Sequence, residues 1–354
     1  MNNRALIAMS GGVDSSAAAL LLRQEGYECI GVNMKLWCGG ADVCGSPQDS
    51  RDAKTVCDKL GMEFHMLDFT GEFSREVIDR FVAEYESGGT PNPCIECNRN
   101  MKFGKLLAEA HRLGCDTLVT GHYARVEYCE ETGRWLLKKA VNEAKDQSYV
   151  LYFLTQEQLS HIRLPLGEYA SKEDIRALAQ SRDLINARKK DSQDICFVPD
   201  GDYAGFITRR TEKEYPEGDF VDNQGNPVGR HKGLIRYTIG QRRGLGVALC
   251  RPMYVKYKDV EKNQVVLSTN EELFSSRLIA ENFNWISIPA PEAPIRAMAK
   301  IRYQAKESPV TATVLPDGRV EVVFDTPQRA LTMGQSVVLY HGDTVVGGGV
   351  IRKV

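Results

Sequence analysis

The sequence predicts an α/β protein: a doubly wound parallel sheet forms the N-terminal part, a small central α+β or β domain follows, and a β-barrel ends the chain. Three observations lead to this fold class. Strand-like and helix-like runs alternate from residue 1 to about 120, which is typical of a parallel sheet with helices on both faces. Residues 215–247 are rich in Gly, Arg and Lys and show no long helical period. After Asn282, short alternating strands separated by turns indicate a small all-β barrel.

Apolar runs predict the individual elements in order. The N-terminal strands are expected at residues 5–9, 29–34, 63–68 and 117–120, and the helices at 14–25, 50–60, 74–86 and 102–113. A hairpin is expected at 126–139, turning at Thr132 and Gly133. The barrel strands include 311–315, 320–324, 336–340 and 345–350. We place the domains at 1–200, 201–275 and 276–354.

The composition is that of a globular protein with ample core. A chain of 354 residues suggests two or three domains. No run approaches the roughly 18 apolar residues of a membrane span, and the N-terminus enters a strand without a signal segment, which predicts a cytoplasmic protein. The net charge of −2 leaves nucleic-acid binding open, because a local basic face can coexist with a nearly neutral total.

A glycine turn, Ser-Gly-Gly-Val-Asp-Ser-Ser at residues 10–16, joins the first predicted strand to the first predicted helix. Its two glycines let backbone N–H groups approach an anion closely, and the helix N-terminus behind them favours negative charge, which predicts a phosphate cradle. The turn lacks the lysine of a Walker loop and the spacing of the dinucleotide-binding turn. A plain helix start with Asp14 as its cap is the simpler alternative. All seven residues, however, resemble the SGGxDS loop (PP-loop) of ATP pyrophosphatases, which split ATP between the α- and β-phosphates.

The ten cysteines are expected to be reduced, so metal binding or catalysis is favoured over a disulfide framework. Cys94 and Cys97 form a C-x-x-C within a stretch, 88–98, whose prolines and glycines disfavour regular structure. A helix beginning near Lys102 and the neighbouring Arg99 are expected to lower the pKa of these thiols. A C-x-x-C is also half of a typical zinc site, but the chain has no second pair at the required spacing.

The other cysteines carry weaker signals. Cys196 lies in a short apolar, strand-like piece, and this position alone predicts a core residue. Three more sit among apolar residues and are predicted to be buried: Cys29, Cys115 and Cys250. Three are too loosely spaced to predict a metal site: Cys38, Cys44 and Cys57.

Several further motifs occur in one order along the chain, and together they resemble the bacterial tRNA-specific 2-thiouridylases, which place sulfur on C2 of the wobble uridine. The broader motifs are NMKLW from Asn33, GGTPNP from Gly88, CN at Cys97, TGHYAR from Thr120 and KIRYQ from Lys300. The narrower motifs, which decide the family, are KDQSY from Lys145, KKDSQDICF from Lys189 and GLIRYTIGQRRGLG from Gly233. The resemblance covers nearly the whole chain and implies an adenine nucleotide alpha hydrolase-like fold for the first domain.

The resemblance implies a reaction in two stages. ATP adenylates the C2 oxygen of the uridine and pyrophosphate is released at Gly11 and Gly12, with Mg²⁺ neutralising the phosphates and Asp14 as a candidate ligand. A persulfide on Cys196 then supplies sulfur, and the thiolate of Cys97 acts as nucleophile, forming a disulfide with Cys196 or releasing sulfide. The implied partners are tRNAs with Lys, Glu or Gln anticodons and, as sulfur donor, a cysteine desulfurase or a sulfur relay protein.

The resemblance also assigns binding residues. For ATP they are Ala8, Met9, Ser10, Gly11, Gly12, Val13, Asp14, Ser15, Met34 and Gly121. For tRNA they are Asn92, Pro93, Cys94, His122, Lys145, Asp146, Gln147, Ser148, Arg302, Tyr303 and Gln335. The target base is expected to flip out of the anticodon toward residues 92–94. Four arginines are expected to meet tRNA phosphates: Arg209, Arg210, Arg242 and Arg243.

One departure bears on the sulfur chemistry, because the best-known members of this family carry aspartate where this chain has Cys94. Cys94, Cys97 and Cys196 could instead hold a [4Fe–4S] cluster with one open iron, so a cluster route to the same product is the first alternative. A PP-loop ligase that transfers nitrogen is the second, although it leaves the paired cysteines unexplained. A non-catalytic RNA-binding protein with a structural metal at Cys94 and Cys97 is the third, although it leaves the nucleotide loop unexplained.

Overall fold

The computed structural model of the protein describes residues 3–37, 47–187, 189, 195–247 and 251–354. In this part of the chain the strands are β1 (Arg4–Ala8), β2 (Glu28–Lys35), β3 (Glu63–Asp68), β4 (Thr117–Val119), β5 (Ala124–Cys129), β6 (Arg134–Lys139), β7 (Ile162–Arg163), β8 (Gly218–Val221), β9 (Pro227–His231), β10 (Tyr254–Asp259), β11 (Gln264–Ser268), β12 (Phe274–Trp285), β13 (Ile295–Lys300), β14 (Ser308–Val314), β15 (Val320–Arg329), β16 (Ser336–His341) and β17 (Thr344–Lys353).

The α-helices of the described chain are α1 (Val13–Gln24), α2 (Pro47–Leu60), α3 (Thr70–Phe73), α4 (Asp79–Glu86), α5 (Pro93–Glu96), α6 (Leu107–Arg112), α7 (Gln156–Ser160), α8 (Lys172–Gln180) and α9 (Tyr203–Thr211). Two π-helical segments join some of these pieces into longer helices: Ser74–Ile78 joins α3 to α4, and Cys97–Leu106 joins α5 to α6. Across the described residues, no helix has the length and apolar character that a membrane crossing requires.

The N-terminal sheet has the strand order β3-β2-β1-β4-β7, and its pairings are parallel. Strand β1 lies in the middle because its side chains are apolar on both faces: Leu6 packs into one core cluster, and Ala5 and Ile7 pack into another. Helix α1 covers the second face through Ala17 and Ala18. The predicted parallel sheet is confirmed. The structure adds β7, which is too short, at two residues, to produce a sequence pattern.

The helix that carries the C-x-x-C begins at Pro93, earlier than the expected start near Lys102. Asn92 is its N-cap, and the Asn92 side-chain oxygen accepts a hydrogen bond from the Cys94 N–H at 3.1 Å. Proline is compatible with the first helical turn, because the N–H that it lacks would have no helical partner there. The expectation of irregular structure over 88–98 is therefore wrong from Pro93 onward.

The central sheet has the order β10-β11-β8-β9, with the parallel pair β11–β8 between two antiparallel pairs. Its core contains the buried side chains of Phe220, Tyr237 and Val255. Helix α9 precedes this sheet, so the predicted small domain with both helix and strand is confirmed. The proposed boundaries at 200/201 and 275/276 stay predictions.

The C-terminal strands form the predicted barrel. Strands β12, β15, β14, β13, β16 and β17 follow one another around it, and the pairing of β12 with β17 closes it. Apolar side chains such as those of Leu278, Val310 and Val322 fill its core. The predicted hairpin is confirmed as β5–β6. This hairpin also extends the barrel sheet, because Lys138 of β6 pairs with Thr344 of β17.

Residues 84–92 form the segment at which all three domains meet, and the barrel contacts it at Glu84 and at Thr90. The Arg352 guanidinium lies 2.7 Å from the Glu84 carboxylate. The Thr90 N–H donates a hydrogen bond to the Met333 carbonyl at 2.9 Å. These contacts attach the barrel directly to the loop that precedes the C-x-x-C helix.

The central domain contacts the same segment through Lys258, which is only 6% exposed. Its Nζ donates to the Gly89 carbonyl at 3.4 Å and lies 5.6 Å from the centroid of the Tyr85 ring. Burial lowers the pKa of Lys258 from 10.5 to about 8, although the charge of Glu84 opposes this shift. The folded protein therefore disfavours the charged form of this ammonium group.

We expect Lys258→Met to stabilise the protein most at neutral pH. Below pH 8, Lys258 is charged in both the folded and the unfolded chain. The lowering of its pKa from 10.5 to about 8 means that burying this charge costs about 3 kcal/mol of folding free energy. Between pH 8 and 10.5 the unfolded chain binds a proton that the folded chain does not. The free energy of unfolding of the parent therefore rises with pH, and the difference in this free energy between the variant and the parent becomes smaller. Urea unfolding at several pH values across this range measures that difference.

The control is Lys262→Met, because the Lys262 side chain is in the same domain and is 71% exposed. We expect its free energy of unfolding to follow that of the parent at every pH. The burial of Lys258 would be contradicted if the difference in free energy of unfolding between Lys258→Met and the parent stayed constant from neutral to alkaline pH.

Candidate functional site

The turn between β1 and α1 has a backbone conformation that requires glycine. Gly11 has a φ of +75°, and a Cβ there would lie 2.7 Å from the Asp49 Cα, so a side chain would be both strained and blocked. Gly12 is the N-cap of α1 and has no side-chain capping bond, so the alternative that Asp14 caps this helix is wrong. The hydroxyls of Ser10 and Ser15 lie 3.2 Å apart at the mouth of the turn.

Asp14 is held from two directions. The Tyr123 hydroxyl donates to Asp14 Oδ1 at 2.8 Å, and the Lys172 ammonium lies 2.9 Å from Oδ2. Lys172 is buried, so this ion pair is poorly screened by water. A carboxylate has about four lone-pair sites, so Asp14 keeps acceptor capacity beyond these two partners. Its oxygens have the chemistry that Mg²⁺ prefers, which is carboxylate together with phosphate.

Lys189 connects the same turn to helix α2. Its Nζ lies 3.3 Å from the Gly11 carbonyl oxygen, 2.7 Å from the Asp49 carboxylate and 2.8 Å from the Asp52 carboxylate. Burial alone would raise the pKa of Asp52, but its hydrogen bonds with Lys189 and Gln48 outweigh burial and lower that pKa. A lysine thus stands beside the turn although none occurs within it.

Sequence reasoning missed four side chains that contact the turn: Tyr123, Lys172, Asn186 and Lys189. Tyr123 and Lys189 belong to recognised motifs, so those motifs could have indicated them. Lys172 and Asn186 carry no local signal, because each is distant from the turn in sequence and meets it only through the fold.

The carboxyl ends of β2 and β4 flank the turn, because both strands pair with β1. Met34 is close to the end of β2, and Gly121 follows β4. A Cβ on Gly121 would lie 2.9 Å from the Asp14 backbone carbon, so glycine allows the loop after β4 to pass close to the turn. The remaining residues predicted for ATP lie at the same edge: Ala8, Met9 and Val13. Met9 and Val13 are buried and would contribute backbone groups.

Cys97 and Cys196 are brought to one region of the protein. Both pack against a single apolar cluster, and Met34 packs against it as well. The predicted strand at Cys196 is wrong, because the Val198 N–H donates to the Ile195 carbonyl at 2.9 Å and makes a turn. The ring of Phe197 holds this turn in the cluster at 5.2–5.8 Å from three others: Phe73, Phe81 and Phe206.

Cys97 is the first residue of the π-helical segment between α5 and α6. Such segments are rare and occur frequently at functional sites. Gly104 permits the wider turn, since a Cβ there would lie 2.9 Å from the Arg99 carbonyl oxygen. Cys94, one turn before Cys97, is exposed. Cys97 is partly buried, as is Cys196.

The arrangement of the described residues does not fit an iron–sulfur cluster. A [4Fe–4S] cluster held by Cys94, Cys97 and Cys196 needs three converging thiolates. Within the described ranges, no three His, Cys, Asp or Glu side chains come together as a group that could hold a metal ion.

The loop predicted to contact tRNA at 145–148 is built around Asp146, which is buried together with Ser148. Asp146 Oδ1 accepts from the Ser148 N–H at 3.1 Å, and Oδ2 accepts from the Ser148 hydroxyl at 2.8 Å. Gln147 and Tyr123 exchange two hydrogen bonds, at 2.8 Å and 2.9 Å. The loop, which begins at Lys145, is thereby attached to the residue that holds Asp14.

His122 is 7% exposed, and its Nδ1 lies 2.7 Å from the Thr120 hydroxyl. Burial, assisted by the charge of Lys102, holds the pKa of His122 well below its usual range. The imidazole is therefore neutral at physiological pH, and its Nε2 lies 3.5 Å from the Lys102 ammonium.

Three predicted tRNA residues belong to the C-terminal part of the chain, and Gln335 is the one whose side chain contacts the segment before the C-x-x-C helix. The Gln335 amide donates to the Thr90 carbonyl at 2.7 Å, close to the cap Asn92 and the buried Pro93. Arg302 donates to the Arg329 carbonyl at 2.9 Å. Tyr303 is 37% exposed.

The surroundings of Tyr303 show how near it lies to the cysteines. Burial raises the pKa of Tyr303, and the nearby Asp146 and Cys94 raise it further. Tyr303 is therefore within electrostatic range of Asp146 and Cys94, and its ring centroid lies 6.2 Å from that of Tyr149.

The remaining predictions concern cysteines and arginines elsewhere. Cys29, Cys57 and Cys115 are buried, and burial raises the pKa of Cys29 to about 11. Cys38, Cys44 and Cys250 lie outside the described residues.

Arg210 pairs with Asp79 at 2.8 Å. The three other arginines predicted to meet phosphate are exposed: Arg209, Arg242 and Arg243.

Comparisons with known proteins cover the whole chain. The profile described as the tRNA methyl transferase HUP domain matches residues 3–200, the tRNA methyl transferase PRC-barrel domain matches 204–269, and the aminomethyltransferase beta-barrel domain matches 275–351.

A solved structure of the U34-tRNA thiolase NcsA from Methanococcus maripaludis with its [4Fe-4S] cluster is 19% identical to this chain. The matched part covers 60% of this chain and 66% of that structure's chain, with a TM-score of 0.36. That likeness is too weak to bear on the chemistry.

Two curated relatives are much more similar. The tRNA-specific 2-thiouridylase MnmA of Clostridioides difficile (strain 630) is 50% identical over 358 residues, which are 100% of this chain and 99% of the relative. The tRNA-specific 2-thiouridylase MnmA of Acetivibrio thermocellus is 50% identical over 356 residues, which are 99% of each chain. Because this identity extends over the full length of the chain, the protein belongs to the tRNA-specific 2-thiouridylase family.

Proposed function

We propose that this protein is an ATP-dependent tRNA sulfurtransferase that replaces the C2 oxygen of the wobble uridine with sulfur. The observation that carries the proposal is the packing of Met34, Cys97 and Cys196 against one apolar cluster. Met34 stands beside the glycine turn at the sheet edge, so this cluster links the nucleotide end of the site to its thiol end. The membership of the chain in the thiouridylase family supports the same reaction.

The first stage activates the uridine. Its C2 oxygen attacks the α-phosphorus of ATP, the bond between the α-phosphorus and the bridging oxygen breaks, and pyrophosphate leaves into the glycine turn. The N-terminus of α1 and the hydroxyls of Ser10 and Ser15 stabilise the departing charge. Mg²⁺ bound with ATP near Asp14 would neutralise phosphate charge. Met34 and Gly121 flank the adenosine.

The second stage replaces AMP with sulfur. A cysteine desulfurase or a sulfur relay protein first leaves a persulfide on Cys196, and the terminal sulfur of this persulfide attacks C2 of the adenylated uridine. The C2–oxygen bond breaks and AMP leaves. The Cys97 thiolate then attacks Cys196 Sγ, so the S–S bond of the former persulfide breaks and a Cys97–Cys196 disulfide forms. A thiol reductant restores both thiols for the next cycle.

The tRNA contacts surround this chemistry. The first domain contributes residues 92–94, the 145–148 loop and His122. The barrel contributes three residues: Arg302, Tyr303 and Gln335. Because the Gln335 amide bonds the Thr90 carbonyl, the barrel and the helix of Cys97 form one surface for the anticodon. The flipped wobble base enters beside Cys94. We expect tRNAs with Lys, Glu and Gln anticodons as substrates.

Transfer of sulfur to uridine is the direct test of this function. The purified protein is incubated with unmodified tRNA, ATP, Mg²⁺, a persulfide donor and a thiol reductant, and the nucleosides of the tRNA are analysed by mass spectrometry. We expect one uridine per tRNA to exchange oxygen for sulfur, with AMP and pyrophosphate formed in equal amounts. A reaction without ATP is the control. Nucleosides without added sulfur would contradict the proposal.

Cysteine variants separate this route from its alternatives. We expect Cys97→Ser and Cys196→Ser to thiolate tRNA at less than about 1% of the parent rate, because a hydroxyl cannot carry or attack a persulfide. Cys94→Ser should keep most of the rate, since Cys94 carries no sulfur in this route and serine keeps its size beside the base. Cys129→Ser is the matched control, because Cys129 is a free thiol on the β5–β6 hairpin, away from the cluster.

Two results in this series would favour the alternatives. A cluster route requires Cys94 as a ligand, so loss of activity in Cys94→Ser, together with iron and acid-labile sulfide in anaerobically purified protein, would displace the persulfide route. A ligase that transfers nitrogen does not need a thiol at Cys196, so full ATP-dependent activity of Cys196→Ser on another acceptor would indicate that reaction.

A further inference from the structure

The carboxamide of Asn186 contacts the glycine turn from the side of the loop after α8. Its Nδ2 lies 3.1 Å from the Gly11 carbonyl oxygen, 3.2 Å from the Gly12 carbonyl oxygen and 2.8 Å from the Ser16 hydroxyl. Asn186 is 3% exposed. One side chain, distant in sequence, therefore contacts two consecutive peptide groups of the turn and the first turn of α1.

The partners of this amide determine its orientation. Carbonyl oxygens only accept hydrogen bonds, so the nitrogen of Asn186 must face Gly11 and Gly12, and the flipped amide would place its oxygen against both carbonyls. Asn186 Oδ1 then points away from the turn, and among the described residues it is buried without a hydrogen-bond partner. Such an acceptor is unfavourable. The donor contacts to the turn, and not the oxygen, therefore account for the position of this side chain.

The contacts with these two carbonyls act on the direction of the N–H groups in the turn, together with the bonds that the Gly12 carbonyl accepts from the Ser15 and Ser16 hydroxyls at 3.0 Å and 3.1 Å. In a planar trans peptide the C=O bond and the following N–H bond point in opposite directions. Because the Gly11 and Gly12 carbonyls face Asn186, the N–H groups of Gly12 and Val13 point to the opposite side of the turn, and the Gly12 N–H donates to the Ser10 hydroxyl at 3.3 Å. That side is where N–H groups at a helix N-terminus bind an anion.

We propose that Asn186 is a positioning residue that prepares the turn for ATP by fixing two of its peptide planes before the nucleotide binds. This inference rests on the proposed use of ATP by the turn. Lys189 also contacts the Gly11 carbonyl, at 3.3 Å, but it is paired with Asp49 and Asp52. Removing Lys189 would leave two carboxylates uncompensated beside the turn, whereas removing the Asn186 amide changes no charge.

Direct binding of nucleotide tests this role. The full-length protein is titrated with α,β-methylene-ATP and Mg²⁺ by calorimetry, and its binding of tRNA is measured separately. Asn186→Ala removes an amide whose two N–H groups are shared among three acceptors of the turn, so we expect its Kd for the nucleotide to rise roughly ten- to a hundredfold. We expect Asn186→Leu, which keeps the volume but has no donor, to lose affinity to a similar extent. The Kd for tRNA should stay within about twofold of the parent.

Asn284 provides a matched control, because its Nδ2 also donates to two backbone carbonyls, those of Tyr152 at 2.8 Å and Leu154 at 2.9 Å. We expect Asn284→Ala to lower the Tm as Asn186→Ala does but to bind the nucleotide as the parent does. Equal loss of nucleotide affinity in Asn186→Ala and Asn284→Ala would indicate general destabilisation and would overturn the inference. Nucleotide affinity equal to that of the parent in Asn186→Ala or Asn186→Leu would overturn it as well. A parent that binds no nucleotide would overturn the proposed function and this inference together.

Discussion

Gly11 turns the chain from β1 into α1 with a left-handed φ, and it approaches α2 so closely that no side chain would fit. The arrangement of the candidate site depends on this turn. Because β1 lies between β2 and β4 in the sheet, the turn stands where the carboxyl ends of three parallel strands meet. Met34 and Gly121 reach it from the two neighbouring strands. The residues proposed to hold the nucleotide are thus carried by elements whose positions the sheet determines.

Tyr123 connects this turn to the loop proposed for tRNA. Its hydroxyl binds Asp14, and its backbone exchanges two hydrogen bonds with Gln147. Asp146 then fixes the shape of the same loop through buried bonds to Ser148. The glycine turn and the 145–148 loop therefore share a short path of hydrogen bonds through Tyr123.

Local pattern in the sequence predicted the features that arise from local structure. The alternation of apolar runs predicted the parallel sheet, and the two glycines at residues 11–12 predicted the conformation of the turn. Contacts between distant parts of the chain left no such pattern, so Lys172 and Asn186 were missed. Pro93 shows a different limit: prolines in the segment suggested irregular structure, whereas proline at the first helical position, after the cap Asn92, begins a helix.

The position of Cys97 depends on the two domains that follow it in the chain. Its helix begins at Pro93, and the segment before that helix is held by backbone groups: the Thr90 N–H and carbonyl bind Met333 and Gln335 of the barrel, and the Gly89 carbonyl binds Lys258 of the central sheet. Contacts within the first domain also place this helix, because Asn98 donates to the Val150 carbonyl at 3.3 Å and Phe103 packs into a core cluster of the parallel sheet. A first domain without the other two would retain the glycine turn and these contacts, but it would lose the hydrogen bonds that hold residues 89 and 90 before the helix. The sheet therefore positions the nucleotide end of the site, and the assembled domains add further contacts that position its thiol end.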